Sequence, residues 1–418
     1  METGGFMRTI LHSDCNGFFA SVECLYNPQL RDKPVAVCGD KDKRHGIILA
    51  KNEIAKKFNI KTGEVIWQAQ QKCPELETVS AHYDRYVRFS KLCRKIYADY
   101  TDNIEPFGLD EAWLDVTGST TLYGSGEEIA QEIRHRIKEE LGITVSIGVS
   151  YNKIFAKLGS DYKKPDAVTV ITKDNYKDIV WSLKASDLLY VGRATERKLR
   201  QLGVFTIGDL ANYPLPLLRK NFGKWADVLH SFSNGLDFSP VMKQDEVTAV
   251  KSIGNSTTAV RDLENFEDAK IIFMVLCDSV CRRMREQGYR AKNVSISVRN
   301  TDLASFTRQK KLFQSTNITK DVLKVSLELF KANYSFDKSI RSLGVSVSDF
   351  EPDSLCHQAS FFVDENSIIK QEQLDSALDN IKVRFGNFAI NPAKLMFDKN
   401  LSGFNPKEEH TVHPVGYF

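Results

Sequence analysis

The sequence predicts an α+β fold that is divided among several domains. Three observations predict it. Short apolar segments that end at acids or glycines alternate with amphipathic helical segments, the composition changes to short helices with glycine turns after residue 172, and a second α+β pattern begins near residue 252. With 418 residues, of which 42% are hydrophobic and 27% charged, the chain is long enough for roughly two to four domains with a sizeable buried core.

The first part of the chain alternates strands and helices. RTILHSD predicts a strand that ends at Asp14, and PVAVC predicts another at residues 34–38, bounded by proline and glycine. SGEEIAQEIRHRIKEELG predicts a helix with Ser125 as its N-cap, and ITVSIGVS alternates with period two, as a strand over 143–150 does. Residues 80–171 therefore indicate a β-α-β core with antiparallel hairpins.

The rest of the chain predicts a helical unit, a linker and a second α+β unit. Residues 183–213 are typical of short helix–turn–helix units, and residues 237–250, which have no periodicity, are the best linker. The second unit is predicted as a strand from Ser252, a helix at 266–287, strands near 293–299 and 303–312, a helix at 319–333, a strand at 341–348, a helix at 367–385 and an irregular tail after Asn400.

Composition excludes some classes of protein. No apolar run approaches the roughly 20 residues that cross a bilayer, and METGGFMRTILHSD lacks the pattern of a signal peptide, so no membrane association is expected. Eight scattered cysteines without CxxC or zinc spacing predict free thiols in a reducing cytoplasm. The net charge is only +3, but residues 282–311 hold nine Lys/Arg against two acids. This segment indicates a polyanion-binding surface, with a solvated charged face as the alternative.

The stretch PFGLDEAWLDV, residues 106–116, places the adjacent carboxylates of Asp110 and Glu111 in what its pattern predicts to be an apolar strand. An unpaired charge there is costly, and a divalent cation with oxygen ligands would neutralise it. Asp14 also ends an apolar strand. If the strands are neighbours, the three acids converge at one sheet edge beside the carbonyl of Cys15. Such a set could hold two cations ~3.5–4 Å apart for a phosphoryl displacement.

Cations that bind phosphate are expected beside such a site. Lysine binds phosphate as a point charge, although a single lysine is as typical of a solvated surface. For Asp115, which follows the acidic pair, a role as a cap or ion-pair partner is expected. The candidate lysines in KNEIAKKF and LGSDYKKPD are Lys51, Lys56, Lys57, Lys157, Lys163 and Lys164.

These motifs resemble those of the Y-family DNA polymerases, in the polymerase IV branch, and the resemblance runs in order over residues 9–385. SDCNGFFASVE is similar to the family's first metal motif, which implies Asp14 and the Cys15 carbonyl as ligands. LDEAWLD is similar to the second, which implies Asp110 and Glu111. The resemblance implies two Mg²⁺ ions per active site, for which Mn²⁺ may substitute, and a catalytic role for the three acids.

The resemblance also implies residues that bind the nucleotide. Phe19 falls at the steric-gate position, where an aromatic ring packs on the sugar and would clash with a ribose 2′-OH. VSIGVSYNKIFAKLGSDYKKPD matches the stretch whose final lysine, Lys164, contacts the triphosphate, with Asp161 near it.

Several positions depart from the family pattern. In LAKNEIAKKF, Ala50, Glu53 and Lys56 stand where Thr, Tyr and Arg are common. Lys56 supplies a positive charge to the nucleotide but not the fork of an arginine, and Glu53 is unfavourable there unless it pairs with a lysine. In the helical unit, Tyr190 stands where glycine is common.

The fold that the resemblance implies is a right-hand polymerase with a ferredoxin-like palm, small fingers, a helical thumb with a helix-hairpin-helix, and a separate α+β little finger. The basic segment would lie on the DNA face of the little finger. The implied ranges are 7–17 and 81–171 for the palm, 18–80 for the fingers, 172–237 for the thumb, 238–250 for a linker, 251–350 for the little finger and 351–418 for a C-terminal extension.

The implied function is template-directed, low-fidelity translesion DNA synthesis from primer–template DNA and dNTP, without a proofreading exonuclease, by a monomer at the nucleoid in the cytoplasm. QASFF resembles a sliding-clamp peptide, with Gln358 first and Phe361 and Phe362 last. The alternative for this stretch is a strand or loop end packed on the little finger.

Two other classes of protein stay open. A nucleotidyl cyclase also uses an α+β core with acidic metal ligands, but it needs neither the helical hairpins nor residues 251–350. A non-catalytic paralogue that binds DNA or the clamp would not need the intact acids, although Ala50 and Glu53 keep it as an alternative.

Overall fold

The structure is a computed structural model, and it describes residues 8–39, 46–243, 246, 249–354 and 365–409. They form two compact units: the first comprises the described residues from 8 to 39 and from 47 to 246, and the second those from 249 onward. Within the described residues, no helix combines the length and the apolar character that a membrane span requires. The seven described cysteines are buried thiols outside any disulfide.

The first unit contains a five-stranded and a three-stranded sheet. The larger sheet has the order β5-β6-β1-β7-β8, with β1 antiparallel to both of its neighbours, and the smaller has the order β3-β2-β4. The strands are β1 (Ile10–Cys15), β2 (Val35–Cys38), β3 (Ile48–Lys51), β4 (Glu77–Ser80), β5 (Ile104–Pro106), β6 (Glu111–Asp115), β7 (Val145–Ser150) and β8 (Val168–Ile171).

Helices surround these sheets and also form the segment that follows them. They are α1 (Phe18–Tyr26), α2 (Glu53–Lys56), α3 (Ile66–Lys72), α4 (Tyr83–Ala98), α5 (Thr120–Tyr123), α6 (Gly126–Arg136), α7 (Lys153–Tyr162), α8 (Tyr176–Val180), α9 (Arg193–Gln201), α10 (Ile207–Asn212), α11 (Leu215–Phe222) and α12 (Trp225–Ser233).

Helix α6 confirms the prediction made from its caps and periodicity. Ser125 is the N-cap, and it exchanges hydrogen bonds with Glu128 in a capping box. In the predicted apolar stripe, Ile129, Ile133 and Ile137 are fully buried and Leu141 is partly buried. The last turn, Ile137–Leu141, is π-helical. Local sequence is sufficient here because the cap and the stripe lie within the helix itself.

The prediction of a strand over residues 106–116 is wrong in its first half. Pro106 ends β5, the chain turns, and β6 begins only at Glu111. The amide of Phe107 donates to the carbonyl of Glu111 at 2.8 Å, and Gly108 has a φ of +99°, a conformation that favours glycine. The adjacent carboxylates therefore stand at a tight hairpin, where two neighbouring side chains can point into one space, as they cannot inside a strand.

Helix α7 lies unusually close to the central strands because glycines line the contact. A Cβ on Gly148 of β7 would stand 1.9 Å from the carbonyl oxygen of Ala156, and a Cβ on Gly159 would stand 3.0 Å from the Cα of Gly148. Any larger residue at Gly148 would push the helix away. The approach brings the polar side chains of α7 next to β1.

The segment from α8 to α12 is helical, as predicted. Thr206 and Asp209 form a capping box at the start of α10, and Leu199 and Leu210 are fully buried. Tyr190 has a φ of +70°, in the left-handed region that glycine adopts without strain. Its ring packs 5.8 Å from that of Trp225, so the side chain gains a contact at a position where a glycine would have none.

The second unit is a four-stranded antiparallel sheet in the order β11-β10-β12-β9, against which two long helices pack. Its strands are β9 (Ser252–Leu263), β10 (Tyr289–Asn300), β11 (Ser305–Thr316) and β12 (Ile340–Pro352), and its helices are α13 (Phe266–Glu286), α14 (Thr319–Asn333), α15 (Glu365–Phe385), α16 (Lys399–Ser402) and α17 (Pro406–Glu409). The prediction of an irregular tail after Asn400 is wrong over α17.

Ion pairs join α15 to the rest of the second unit. Arg285 of α13 contacts Asp375 at 3.3 Å and Asp379 at 2.7 Å, and Lys382 of α15 contacts Asp278 at 2.7 Å. These groups are largely buried, so removal of one partner would leave an uncompensated charge. The residues from α15 onward are therefore an integral layer of the second unit.

Candidate active site

Strand pairing brings the three predicted acids together. Asp14, near the end of β1, lies directly opposite Glu111 at the start of β6. The amide of Cys15 donates to the carbonyl of Asp110 at 2.9 Å, which places the main chain of Cys15 beside the hairpin. As expected, the two strands are neighbours and the acids meet at one edge of the sheet, at the ends of two inner strands.

Burial and mutual repulsion disfavour ionisation of these acids. Burial, followed by the charges of Glu111 and Asp14, raises the pKa of Asp110 to about 7. Burial and Glu111 also raise the pKa of Asp14, although Lys164 and Lys157 oppose the shift. The site therefore has a deficit of positive charge that a cation could fill.

Lysines on and after α7 supply part of that charge. The ammonium of Lys157 lies 2.6 Å from Glu111 Oε2 and 3.3 Å from Asp14 Oδ2, and that of Lys164 lies 2.7 Å from Asp14 Oδ2 and from Asp161 Oδ1. Burial alone would lower the pKa of Lys157, but Glu111, Asp161 and Asp14 together raise it above its usual value.

The structure places Lys164 against Asp14, with Asp161 beside it, and it adds Lys157. The contact of Lys164 with the triphosphate, which the resemblance implies, stays a prediction. Sequence reasoning left Lys157 as one of six candidate lysines. The signal that could have singled it out is the i, i+4 spacing of Lys157 and Asp161, which puts both side chains on one face of α7.

The donor set fits a hard divalent cation. Carboxylate and carbonyl oxygens are the ligands that Mg²⁺ prefers. A hydrogen bond to Cys93 and burial raise the pKa of Cys15 well above its usual value, so its thiol stays protonated and only its main chain is a suitable donor. In the described part of the chain, no three His, Cys, Asp or Glu side chains are arranged as a metal site. The carboxylates of Glu111 and Asp14 contact Lys157 and Lys164.

An aromatic stack lies at the start of α1. The ring of Phe19 stacks on that of Tyr86 with a centroid distance of 4.0 Å and an interplanar angle of 7°. The hydroxyl of Tyr86 donates to the buried carboxylate of Glu23 at 2.7 Å, and Arg85 contacts the same carboxylate at 2.8 Å. Tyr86 and Glu23 were not predicted as site residues. The only signal was that the surrounding segment SAHYDRYVRFS looks typical of the resembled family.

Lys56 has a different environment. Its ammonium pairs with Glu53 at 2.5 Å within α2, so its charge is already balanced locally. The acids contact Lys157 and Lys164 instead. Asp115 accepts hydrogen bonds from the amide and the hydroxyl of Thr117 and lies 3.9 Å from Arg8, so of its two expected roles the structure confirms that of an ion-pair partner.

The basic segment, residues 282–311, is only partly a surface. Arg285 and Arg290 are largely buried and pair with acids of α15 and of the chain just after β12. Arg308 and Lys310, both on β11, are exposed. The expected basic surface is therefore reduced, because part of its charge stabilises the second unit. Gln358, Phe361 and Phe362 lie outside the described residues.

Comparisons with known proteins agree with this arrangement. The model of the impB/mucB/samB family matches residues 13–161, that of its C-terminal domain matches 250–361, and a DNA polymerase-iota thumb-domain model matches 186–237. DNA polymerase IV of Acetivibrio thermocellus is 51% identical over 94% of this chain and 99% of the relative. DNA polymerase IV 2 of Bacillus subtilis is 37% identical over 92% of this chain and 93% of the relative.

A solved structure is also similar. A Y-family DNA polymerase chimera matches with a TM-score of 0.72 and 26% identity, over 82% of this chain and 98% of the chimera. The chain belongs to the Y-family of DNA polymerases, and within it to the polymerase IV branch. The right-hand fold class that the sequence implies is thereby confirmed.

The raised pKa of Asp110 predicts a pH-dependent cost of folding. Because the folded pKa is about 7 and the unfolded value is ~3.9, stability is lost as the pH rises through this interval. In EDTA, Asp110→Asn should raise the free energy of unfolding at pH 8, by on the order of 4 kcal/mol, and the gain should be smaller at pH 5. Thermal and urea unfolding at both pH values measure it.

The exposed Asp102 provides the control. Asp102→Asn should leave the unfolding curves unchanged at either pH. Two results would contradict the interpretation that the site disfavours an ionised Asp110. One is an increase in the free energy of unfolding of Asp110→Asn that is equal at pH 5 and pH 8, and the other is a decrease at pH 8.

Proposed function

We infer that this chain is a template-directed DNA polymerase of the low-fidelity translesion type, which transfers a nucleotide from dNTP to a primer 3′-OH. The observation that carries the inference is the 51% identity, over almost the whole chain, with a relative named DNA polymerase IV. The convergence of Asp14 with the hairpin of Asp110 and Glu111 supports it. DNA as the substrate favours a place at the nucleoid in the cytoplasm, and a monomer is proposed.

We propose that Asp14, Asp110, Glu111 and the Cys15 carbonyl hold two Mg²⁺ ions, with Mn²⁺ as a substitute. The hard oxygen donors and the raised pKa of Asp110 support this assignment. When bound, such ions lower the pKa of the primer hydroxyl and stabilise the charge of the leaving pyrophosphate. The three carboxylates position the ions, and the hairpin holds two of these carboxylates side by side.

The lysines are proposed to exchange partners when the nucleotide binds. Lys164 and Lys157 lie at the acids, so their ammonium groups can turn from the carboxylates to the triphosphate. There they would stabilise negative charge as the primer oxygen attacks the α-phosphorus and the bond to pyrophosphate breaks. Lys56 is proposed as a weaker contributor, because Glu53 offsets its charge. The KM for dNTP of the three single alanine variants measures each contribution.

Removal of either hairpin acid should abolish catalysis. With a labelled primer–template, dNTPs and Mg²⁺, Asp110→Ala and Glu111→Ala should reduce extension at least ~1000-fold, because the metal ions lose an essential ligand. Both variants should bind the primer–template within about 3-fold of wild type, as measured by fluorescence anisotropy, since DNA is held mainly through its phosphates.

The control for this pair is Asp102→Ala, at an exposed acid shortly before the hairpin in the sequence. It should extend primers at the wild-type rate. Near-normal extension by Asp110→Ala or Glu111→Ala would remove the metal assignment. Binding of DNA without extension by the wild-type protein would favour the non-catalytic paralogue.

We propose that Phe19 excludes ribonucleotides and that Tyr86 supports its ring. Phe19→Ala should raise kcat/KM for ribonucleotide insertion relative to deoxynucleotide insertion by about 100-fold, since a clash of a few kcal/mol is removed. Single-nucleotide insertion kinetics with matched dNTP and rNTP measure the ratio. Phe58→Ala, at an exposed phenylalanine of the same unit, should leave the ratio unchanged. Equal discrimination by Phe19→Ala and wild type would show that another group excludes the 2′-OH.

We also propose that residues 358–362 bind a sliding clamp, on the strength of the sequence QASFF alone. The double variant Phe361→Ala/Phe362→Ala should weaken binding to a purified bacterial sliding clamp at least ~10-fold, because aromatic anchors dominate such interfaces. Surface plasmon resonance measures the Kd, and Ser360→Ala is the control. Clamp binding unchanged by the double variant would favour the alternative, a segment packed on the second unit.

A further inference from the structure

A buried histidine beside the acids has no part in the mechanism above. His12 lies on β1, two residues before Asp14 and therefore on the same face of the strand. Its side chain is completely buried, and its ring meets that of Trp113 edge-on at 5.0 Å. A buried polar ring needs hydrogen-bond partners on both nitrogens.

Each nitrogen of His12 faces one polar group. Nδ1 lies 2.8 Å from the hydroxyl oxygen of Ser160, and Nε2 lies 3.3 Å from Glu111 Oε2. The 3.3 Å contact does not meet the geometry of a hydrogen bond, and Nε2 has no other partner among the described residues, so it is a buried polar atom aimed at Glu111. The contact to Glu111 is longer than an ordinary N–H···O hydrogen bond, which is common for groups that tighten only when the full site is assembled.

The hydrogen-bond network selects one tautomer of the ring. If Nδ1 carried the single proton, the lone pair of Nε2 would face the carboxylate of Glu111, and two acceptors would repel each other. If Nε2 carries it, the ring donates to Glu111, and Nδ1 accepts from the hydroxyl of Ser160. In the structure that hydroxyl donates to the carbonyl of Lys157 at 2.7 Å, so its proton has to turn to Nδ1 for this arrangement. The Lys157 carbonyl lies within α7, where the helical amide four residues on can satisfy it.

We propose that Ser160 and His12 form a relay that orients the carboxylate of Glu111. His12 is a positioning residue in this relay, and the inference rests on the proposed role of Glu111 as a metal ligand. Groups that hydrogen-bond to metal ligands fix their orientation and raise metal affinity. The relay supplies such a bond from inside the sheet.

The close packing of α7 makes the relay possible. His12 pairs with Gly148 across β1 and β7, and a Cβ on Gly148 would stand 2.5 Å from the amide nitrogen of Ser160. The absence of that Cβ lets Ser160 reach the edge of the histidine ring. The feature that brings the lysines to the acids therefore brings Ser160 to His12 as well.

The relay differs from the contact that Lys157 makes with Glu111. Lys157 also contacts Glu111 Oε2, at 2.6 Å, but its ammonium is proposed to turn to the triphosphate. His12 is fully buried and cannot follow it. During catalysis His12 would therefore be the donor that stays with Glu111.

Substitutions at His12 can separate donation from packing. His12→Phe keeps an aromatic ring against Trp113 but has no N–H, whereas His12→Gln can place an amide N–H near the position of Nε2. Isothermal titration of Mn²⁺ into the full chain bound to primer–template DNA measures metal affinity without catalysis. His12→Phe should weaken Mn²⁺ binding about 10-fold, and His12→Gln should stay within about 3-fold of wild type. The Mg²⁺ concentration that half-saturates extension should shift in the same order.

Two further variants complete the test. Ser160→Ala removes the group that fixes the tautomer and should weaken Mn²⁺ binding in the same direction as His12→Phe, by a smaller factor. Ser13 lies on the opposite face of β1, where its hydroxyl oxygen accepts a hydrogen bond from the hydroxyl of Tyr97 at 3.0 Å. Ser13→Ala should therefore leave Mn²⁺ affinity unchanged. Thermal unfolding in EDTA identifies any variant that does not fold, in which case Ser160→Ala decides.

The outcomes distinguish the relay from the proposed function. Suppose that the wild-type protein extends primers and binds Mn²⁺, and that His12→Phe binds Mn²⁺ with the same affinity. This result would overturn the relay but not the proposed function. Equal losses for His12→Phe and His12→Gln would also overturn it, since they would indicate a packing role for the imidazole. A wild-type protein that neither binds Mn²⁺ nor extends primers would overturn the proposed function and the relay together.

Discussion

Buried negative charge at the ends of two neighbouring strands is the constraint on which the rest of the site depends. Asp14, Asp110 and Glu111 converge in a space where water is largely excluded, and carboxylates so placed cannot all ionise without compensating cations. Lys157 and Lys164 provide that compensation only in part, since the pKa of Asp110 is still raised to about 7. The site is therefore stable but short of positive charge, as a site that accepts divalent cations should be.

The geometry of α7 determines which cations reach the acids. Its axis can approach the sheet because Gly148 and Gly159 have no side chains at the contact. The helix then presents a lysine to Glu111 on one side and the hydroxyl of Ser160 to His12 on the other. One local feature, a pair of facing glycines, thus controls both the charge balance and the hydrogen bonding of the acids. A shift of the helix by the width of a methyl group would alter both.

Charge has a different role in the second unit. Arg285 and Arg290 belong to a segment whose composition indicates a surface for a polyanion, yet both are largely buried in ion pairs with Asp379, Asp353 and Glu372. Their guanidinium groups hold α15 and the end of β12 in place. The cations of β11 are exposed, and two of them, Lys310 and Lys311, pair there with Glu328 and Asp349. The net charge of a segment does not distinguish these uses, because it ignores which acids the fold brings near.

The sequence alone determined the features whose causes lie within a few residues of each other. The cap and stripe of α6 and the bounds of α14 at residues 319–333 follow from local patterns, and the order of the motifs was enough to recognise the family. Asp14, Asp110 and Glu111 could be named as a set because buried acids at the ends of apolar strands are costly unless a cation neutralises them.

Tertiary structure decided what depends on residues that are distant in the chain. It turned the apolar strand at residues 106–116 into a hairpin and paired Asp14 with Glu111. It also selected Lys157 rather than Lys56 as the lysine that contacts Glu111. Each outcome depends on separations of a few ångströms between residues far apart in sequence. Local patterns carry no information about such distances, because the packing of helices and strands sets them only after the chain has folded.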